Sequence, residues 1–255
     1  SILRGSGSYP LALVVTARAM AAGRPFTPQL TAQVMQELFV YFETEVYQRF
    51  DLPVRRILLE LAPFEDFDLQ MAQMVSGDAH AGQILDWLQR NTSILCCSGV
   101  QQFSLRPHFR SFLLWEMDKH YTDEKRRALF GRGGLYYELK EDYARALDCY
   151  TMGGDHTKVS ELLIRNAELH PGMGHYSEME KYYRALPEEE ILASPSLMQG
   201  MSMLCALTMD FEGSERWYGE LQSFARRCGR QDASWREARS RLAWLDISLP
   251  QRTAE

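Results

Sequence analysis

Apolar residues recur every three to four positions along most of this chain, which is the spacing of helices that bury one face. One such run predicts a helix over 30–50, with Val34 and Phe42 on its buried face. Another predicts a helix over 11–22, which follows Pro10 and ends at a stretch rich in glycine and proline. The N-terminal part of the chain is therefore predicted to be helical.

From Asp51 the pattern changes to three short helices followed by two extended pieces. Ser98 and Gly99 separate the extended pieces, and small turn residues between two such runs are a hairpin signal. Three helices followed by a two-stranded wing are typical of a winged-helix domain. The predicted helices cover 54–61, 67–75 and 79–91, and the extended pieces cover 93–97 and 101–105.

Three later stretches repeat one pattern, with an aromatic residue at the second place and a tyrosine at the ninth. The outer two begin at Asp142 and Asp210, which lie 68 residues apart, or two periods of 34. Helix pairs of the tetratricopeptide type have this period and bury their apolar faces against neighbouring pairs. The stretches cover 142–150, 175–183 and 210–218.

A length of 255 residues accommodates one small domain together with a repeat array. We predict a mainly α protein with a helical segment over 1–50, a winged-helix domain with a small β-hairpin over 51–121, and a tetratricopeptide-like α-α superhelix over 122–255. The predicted repeat helices cover 124–139, 143–153, 156–166, 177–186, 188–192, 195–209, 212–228 and 234–247.

The overall charge and the cysteines restrict the class of protein. A net charge of −6 argues against a broad nucleic-acid surface, which needs a basic face. No apolar run approaches the length of about 18–20 residues that a membrane span requires. The five cysteines are odd in number and irregular in spacing, and we expect no secretory signal. A reduced, cytoplasmic protein without membrane contact is the prediction.

The predicted winged helix lacks the charge of a DNA reader. Residues 51–118 carry five basic and nine acidic side chains, a net charge of −4. A recognition helix presents basic or amide side chains to the major groove. The only Asp, Glu, Lys or Arg residues of the third helix, 79–91, are Asp86 and Arg90, so its charge cancels; Gln83 and Gln89 could reach bases, but the flanking surface is acidic. We therefore expect this domain not to bind DNA directly, although Arg55 and Arg56 form one adjacent basic pair.

No motif of catalysis or of metal binding is found. A GxxxxGK[ST] loop is absent, and the glycines of 131–134 follow a helix, so Gly134 is expected to let two helices approach closely. His170 and His175 flank a loop, but zinc usually takes four ligands with cysteine or carboxylate partners. We predict no catalytic residue, no metal and no cofactor within this chain.

The repeats are expected to bind a partner through side chains that packing does not use. Tyr136 and Tyr182 fall outside the second and ninth places, so we predict that they are exposed contacts. Met201 lies on a helix rich in methionine, whose thioethers either fill a core or form an adaptable binding surface. Tyr136, Tyr182 and Met201 are the candidate partner-binding residues.

Five short motifs occur in a particular order, and through them the chain resembles the large ATP-dependent regulators of the LuxR family, the MalT-like branch of the STAND signalling NTPases. The resemblance covers about 8–221, and Leu105, Arg106 and His108 depart from the family pattern. The motifs are YPLAL at 9–13, YFETEV at 41–46, RILL at 56–59, FSLRPHFRSFL at 103–113 and LPEE at 186–189.

The resemblance implies an internal fragment of a signal-responsive transcriptional regulator. In that family a P-loop NTPase precedes this region and a helix-turn-helix domain ends the chain, so ATP or ADP and DNA would be bound outside it. Pro10 would lie near the adenine, and Arg106, where the family often has histidine, would face the nucleotide in the intact protein. The repeats would bind a small-molecule inducer or a protein or peptide.

Two alternatives remain open from the residues alone. The chain could be a tetratricopeptide-type protein-binding scaffold unrelated to transcription. It could also be a winged-helix DNA-binding protein with a repeat dimerisation arm, in which case charge reversal at Arg55 and Arg56 would abolish DNA binding. An enzyme is the weakest option, because no nucleophile, base and orienting group can be assembled from the motifs.

Overall fold

A computed structural model describes residues 28–99, 101–169 and 174–249. The chain divides into two compact units, the first ending at Gly133 and the second beginning at Gly134. The mainly α fold class is confirmed, and the one sheet among the described residues lies in the first unit. The helix predicted over 11–22 falls outside the described residues.

The first unit has the helices and the small antiparallel sheet of a winged-helix domain. The strand order is β1-β3-β2, with Phe67 opposite Phe103 and Leu95 opposite Leu105. The elements are α1 (Pro28–Tyr41), a π-helical turn (Phe42–Val46), a 3-10 turn (Tyr47–Arg49), α2 (Leu52–Leu61), β1 (Phe67–Asp68), α3 (Leu69–Ser76), α4 (Ala81–Asn91), β2 (Leu95–Gly99), β3 (Gln102–Leu105), α5 (Pro107–His120) and the start of α6 (Asp123–Leu139).

An aromatic cluster around Phe112 forms the core of this unit. Phe112 is fully buried, with ring centroids of Phe42, Tyr47 and Phe109 at 5.8, 5.6 and 5.7 Å. The helix predicted to run on to position 50 is instead interrupted by the π-helical turn after Tyr41. Because this turn is wider than an α-helical one, Phe42 and Tyr47, five residues apart, both face Phe112.

The sheet has a third strand that the apolar pattern does not predict. Phe67 and Asp68 were expected to begin a helix, but they pair with β3, and the Phe67 ring stacks on Phe103 at 6.3 Å. Asp68 caps α3, since its carboxylate accepts a hydrogen bond from the Met71 amide at 2.7 Å. The N-cap residue of a helix has extended backbone angles, so Asp68 can pair in a strand and also cap α3.

The second unit is a set of packed helices in which α11 is the central member. Every residue from Pro195 to Cys205 is buried, as expected for a helix that neighbours cover on all sides. It packs against α8, α9, α10, α12 and α13. The elements after α6 are α7 (Tyr143–Gly153), α8 (His156–Leu169), α9 (Gly174–Ala185), α10 (Glu188–Leu192), α11 (Pro195–Leu207), α12 (Phe211–Arg227) and α13 (Ala233–Ser248).

Three helix-to-helix joints of this unit share one geometry. Each has a residue with a left-handed backbone, at φ 60° for Glu141, 67° for Gly154 and 63° for Met209. An aspartate follows, and its amide donates to the carbonyl five residues before it, which closes a Schellman-type end. The carboxylate then accepts from the amide three residues on and so caps the next helix. The capping residues are Asp142, Asp155 and Asp210.

Small residues allow the helices of this unit to approach closely. A Cβ atom at Gly134 would lie 2.6 Å from the ring of Tyr150, which confirms that this glycine serves close helix packing. Gly200 meets the ring of Tyr183 in the same way. Between α11 and α12, the Ser202 hydroxyl donates to the Ser214 carbonyl at 3.0 Å. The helices of this unit are therefore held together both by their apolar faces and by small residues at the points of closest approach.

Candidate functional site

The third helix of the winged-helix region has no excess of positive charge. Helix α4 exposes Gln83, Asp86, Trp87 and Arg90, so its one cation is balanced by one carboxylate. Trp87 is 48% exposed, and its ring packs edge-on against Phe50 at 6.2 Å. An exposed aromatic ring, on a helix whose one positive charge is matched by one negative charge, offers little attraction to the phosphate backbone of DNA.

Other basic side chains of this region are already used to hold the fold together. The Arg110 guanidinium donates to the carbonyls of Ala62 and Pro63, at 2.8 Å each. Arg56 makes an ion pair with Asp78 at 2.8 Å. These donors hold the winged helix together and do not form a continuous basic face.

Arg106 occupies the start of α5. It is exposed, it is the N-cap residue of that helix, and its amide donates to the Ile94 carbonyl at 2.9 Å. Its guanidinium donates to the Ser93 carbonyl through Nε. A helix N-terminus carries partial positive charge, so this position combines two features that favour an anion. Pro10, the other expected nucleotide contact, lies outside the described residues.

The prediction that Tyr136 and Tyr182 are exposed is wrong. Tyr136 is 8% exposed and Tyr182 3% exposed. The Tyr182 hydroxyl lies 3.1 Å from the Ala144 carbonyl, to which it donates, and 3.0 Å from the Asp148 carboxylate. Met201 is 7% exposed on the central helix α11, so its thioether fills the core. None of the three offers a free surface to a partner.

The error has a geometric cause in the repeated pattern. Its second place directly follows the capping aspartate in two stretches, and there Phe211 is 56% exposed and Tyr143 half-buried. A side chain in the first turn of a helix points back over the preceding joint toward solvent. Tyr136 and Tyr182 lie in the last turns of α6 and α9, and both are buried.

The described residues of the second unit instead form a pocket within the hairpin of α12 and α13. Its volume is about 670 Å³, within the range of small-molecule sites. Apolar atoms come from Ala225 and Leu242, which are buried, and from the ring of Trp235, which is half-buried. At one end the Tyr218 hydroxyl donates to the Asp246 carboxylate at 2.6 Å, which joins the two helices across the pocket.

Three arginines surround this pocket and give it a positive rim. Arg226, Arg230 and Arg239 are exposed, and none of them makes an ion pair with a described residue. Guanidinium groups bind carboxylates and phosphates through paired N–H donors and stack on planar rings. Together with Trp235, they suit a planar or anionic ligand or an acidic peptide.

Sequence reasoning missed this pocket, although a signal was present. On α13 the lining residues Trp235, Arg239, Leu242 and Asp246 recur at helical spacing and so share one face. A face that mixes an aromatic ring, an aliphatic side chain and both charges is unlike a packing face. The residues contributed by α12 could not be paired with it without the fold.

Two features of the described residues bear on metal binding and on thiol chemistry. No group of three or more His, Cys, Asp and Glu side chains there is arranged to hold a metal ion. Burial raises the pKa of the Cys149 thiol to about 12, which keeps it protonated and unreactive. In the described part of the chain, no helix is both long enough and apolar enough to cross a membrane.

Residues 43–125 match the family model of the MalT winged helix domain. This MalT match covers α2 to α5 and the sheet, together with the π-helical turn before them and the beginning of α6. A comparison of the chain with curated proteins finds no match. The MalT winged helix domain suggests a transcriptional regulator of MalT type, in which this domain is regulatory.

Proposed function

We propose that this chain is a non-catalytic relay section of a MalT-like transcriptional regulator. It would pass the binding of a signal on the helical repeats to an NTPase and a DNA-binding domain that lie outside it. The observation that carries the proposal is the MalT winged helix match, in a region whose third helix carries one cation and one carboxylate. A winged helix without a basic recognition face suits relay between domains better than DNA reading.

The signal would bind in the pocket between α12 and α13. Its rim of Arg226, Arg230 and Arg239 and the ring of Trp235 support an anionic inducer or an acidic peptide as the ligand. Because the pocket lies within one helical hairpin, an occupant would contact both helices and stabilise their packing. Such a ligand acts as an effector only if it binds one state of the regulator more tightly than the other.

The nucleotide, ATP or ADP, would be bound by the NTPase domain, with two residues of this chain beside it. Arg106 is exposed at the N-terminus of α5, where both its charge and the helix dipole favour a phosphate. Pro10 is proposed as the second contact, from the family resemblance alone. On this proposal the isolated chain does not hydrolyse ATP.

The pocket can be tested in cells through transcript levels. The complete gene is deleted and then restored either unchanged or with Trp235→Ala and Arg239→Ala together. Loss of the ring and of one rim cation should weaken ligand binding by at least tenfold, since each such contact contributes about 1–2 kcal/mol. RNA sequencing should then show that the unchanged gene restores the affected transcripts and the double variant does not.

The matched control is Arg236→Ala, which removes an exposed arginine of the same helix that does not line the pocket. This variant should restore transcription as the unchanged gene does. Equal transcript levels for the double variant and for the control would contradict the assignment of the pocket. If deletion of the gene alters no transcript under any growth condition, the proposed function itself is wrong.

A further inference from the structure

A second pocket lies in the first unit, away from the start of α5. It has a volume of about 610 Å³, and its lining comes from the 3-10 turn, from α2, from the end of α5 and from α6. Apolar atoms are supplied by Leu52, Leu59 and Ala128, and the rings of Tyr47 and Tyr121 also line it. Its size and mixed lining are those of a site for a small molecule.

Glu60 forms part of the wall of this pocket and is only 8% exposed. Tyr121 lines the same pocket, and burial raises the pKa of its hydroxyl to about 12, so the hydroxyl keeps its proton. One oxygen of the Glu60 carboxylate, Oε2, is buried and has no hydrogen-bond partner among the described residues. A buried carboxylate oxygen without a donor is costly, so its retention needs a reason.

Four cationic side chains share the lining of this pocket with the single carboxylate. These are Arg55, Arg56, Lys125 and Arg132. Some of their donors are used: Arg132 Nε donates to the Val75 carbonyl at 2.6 Å, and Arg56 pairs with Asp78. Lys125 makes no ion pair with a described residue, and its ammonium lies 5.8 Å from the ring of Tyr121. The pocket therefore has a local excess of positive charge within an acidic domain.

We propose that this pocket binds a small sugar phosphate, whose phosphate meets the cations and whose hydroxyl donates to Oε2 of Glu60. A phosphate monoester carries about −1.5 to −2 charges at neutral pH, which suits a site lined by several cations and one carboxylate. The rings of Tyr47 and Tyr121 offer apolar faces to the sugar. The net negative charge of the surrounding domain excludes long polyanions such as duplex DNA but not a small anion.

Titration calorimetry on the chain, with glucose 6-phosphate as the probe, tests the site. The expected dissociation constant is below about 1 mM, at least tenfold tighter than that of glucose or of inorganic phosphate, because each control lacks one of the two contacts. At one hundred times the dissociation constant, the probe should raise the melting temperature by roughly 5 °C or more.

Substitutions separate a binding site from a merely structural carboxylate. Glu60→Leu removes the buried oxygen, so the unliganded variant should melt higher than the wild type and yet bind the probe at least tenfold more weakly. Lys125→Gln should also weaken binding several-fold. Its control is Arg127→Gln, an exposed residue of the same helix outside the pocket, which should leave binding unchanged.

The pH dependence of stability offers a second readout. The pKa of Glu60 is raised, chiefly by burial and further by Asp78. The charges of Arg56 and Arg132 and the Tyr121 hydroxyl act in the opposite direction but do not offset the effect of burial. A carboxyl with a raised native pKa binds its proton more tightly when folded, so its ionisation destabilises the fold as the pH rises through that pKa. The stability gained in Glu60→Gln should therefore be largest at neutral pH and should shrink toward pH 4.

Three results would overturn the proposal. One is that glucose 6-phosphate binds no tighter than inorganic phosphate. Another is that Glu60→Leu binds the probe as the wild type does, which would leave an ordered water as the partner of Oε2. The third is equal binding by Lys125→Gln and by the wild type, which would place the phosphate elsewhere.

Discussion

Replacement of Phe112 by alanine should destabilise the first unit by about 3–5 kcal/mol, the largest effect expected of any single substitution here. Phe112 is fully buried, and the rings of Phe42, Tyr47 and Phe109 lie within 6 Å of it. The cavity would open between the π-helical turn and α5, whose rings pack on Phe112. Hydrogen exchange by mass spectrometry should show faster exchange in peptides from α1, α2 and α5.

Two milder variants calibrate this loss. Phe112→Leu keeps most of the buried volume and should cost far less than the alanine variant. Trp115→Ala removes a ring of the same cluster that is 38% exposed, and its cost should also be smaller. Equal losses for Phe112→Ala and Trp115→Ala would mean that Phe112 is not the centre of the core.

Gly200→Ala should destabilise the second unit by about 3 kcal/mol, although it adds a single methyl group. The new Cβ atom would lie 2.5 Å from Cζ of Tyr183. Tyr183 is 1% exposed and has no room to rotate away. Either α9 or the central helix α11 must shift, and α11 is buried along most of its length. Urea unfolding followed by circular dichroism measures the loss.

Gly219→Ala is the matched control for this substitution. Gly219 lies inside α12, and a Cβ atom there would meet nothing within 4 Å. Alanine has the higher helix propensity, so this variant should be more stable than the wild type by about 0.5–1 kcal/mol. The change in the free energy of unfolding should therefore have opposite signs in Gly200→Ala and Gly219→Ala. A loss of stability at both positions would show that the contact with Tyr183 is not the cause.

The periodicity of the sequence predicted most of the helices because each buries an apolar face at helical spacing. Helices α7 and α10 begin and end at the predicted residues, and most others differ by one to three positions. Strand β1 was missed because two residues are too few to show the alternation of apolar and polar side chains that marks a strand. The π-helical turn was missed because its effect, the burial of Tyr47 beside Phe112, depends on contacts with α5.

The exposure of the two candidate tyrosines was predicted wrongly, and the reason lies in the fold. Tyr136 and Tyr182 were chosen by their place in a repeat, but exposure is decided by which neighbouring helices cover each face. The pocket around Glu60 joins Tyr47 and Glu60 to Tyr121 and Lys125, which come about sixty residues later in the chain. No local pattern brings them together, and an isolated glutamate within an apolar helix gives no sign that one oxygen lacks a donor.

DNA binding by the isolated chain, compared with the protein from the complete reading frame, tests the central claim most directly. Both are titrated into a labelled random duplex at low salt, and the fluorescence anisotropy is measured. The complete protein should bind with micromolar or tighter affinity that falls linearly with salt on logarithmic axes, whereas this chain should show no saturable binding up to about 10 µM. Salt-sensitive binding by this chain, lost in Arg55→Glu and Arg56→Glu together, would contradict a relay section whose DNA contacts lie in another domain.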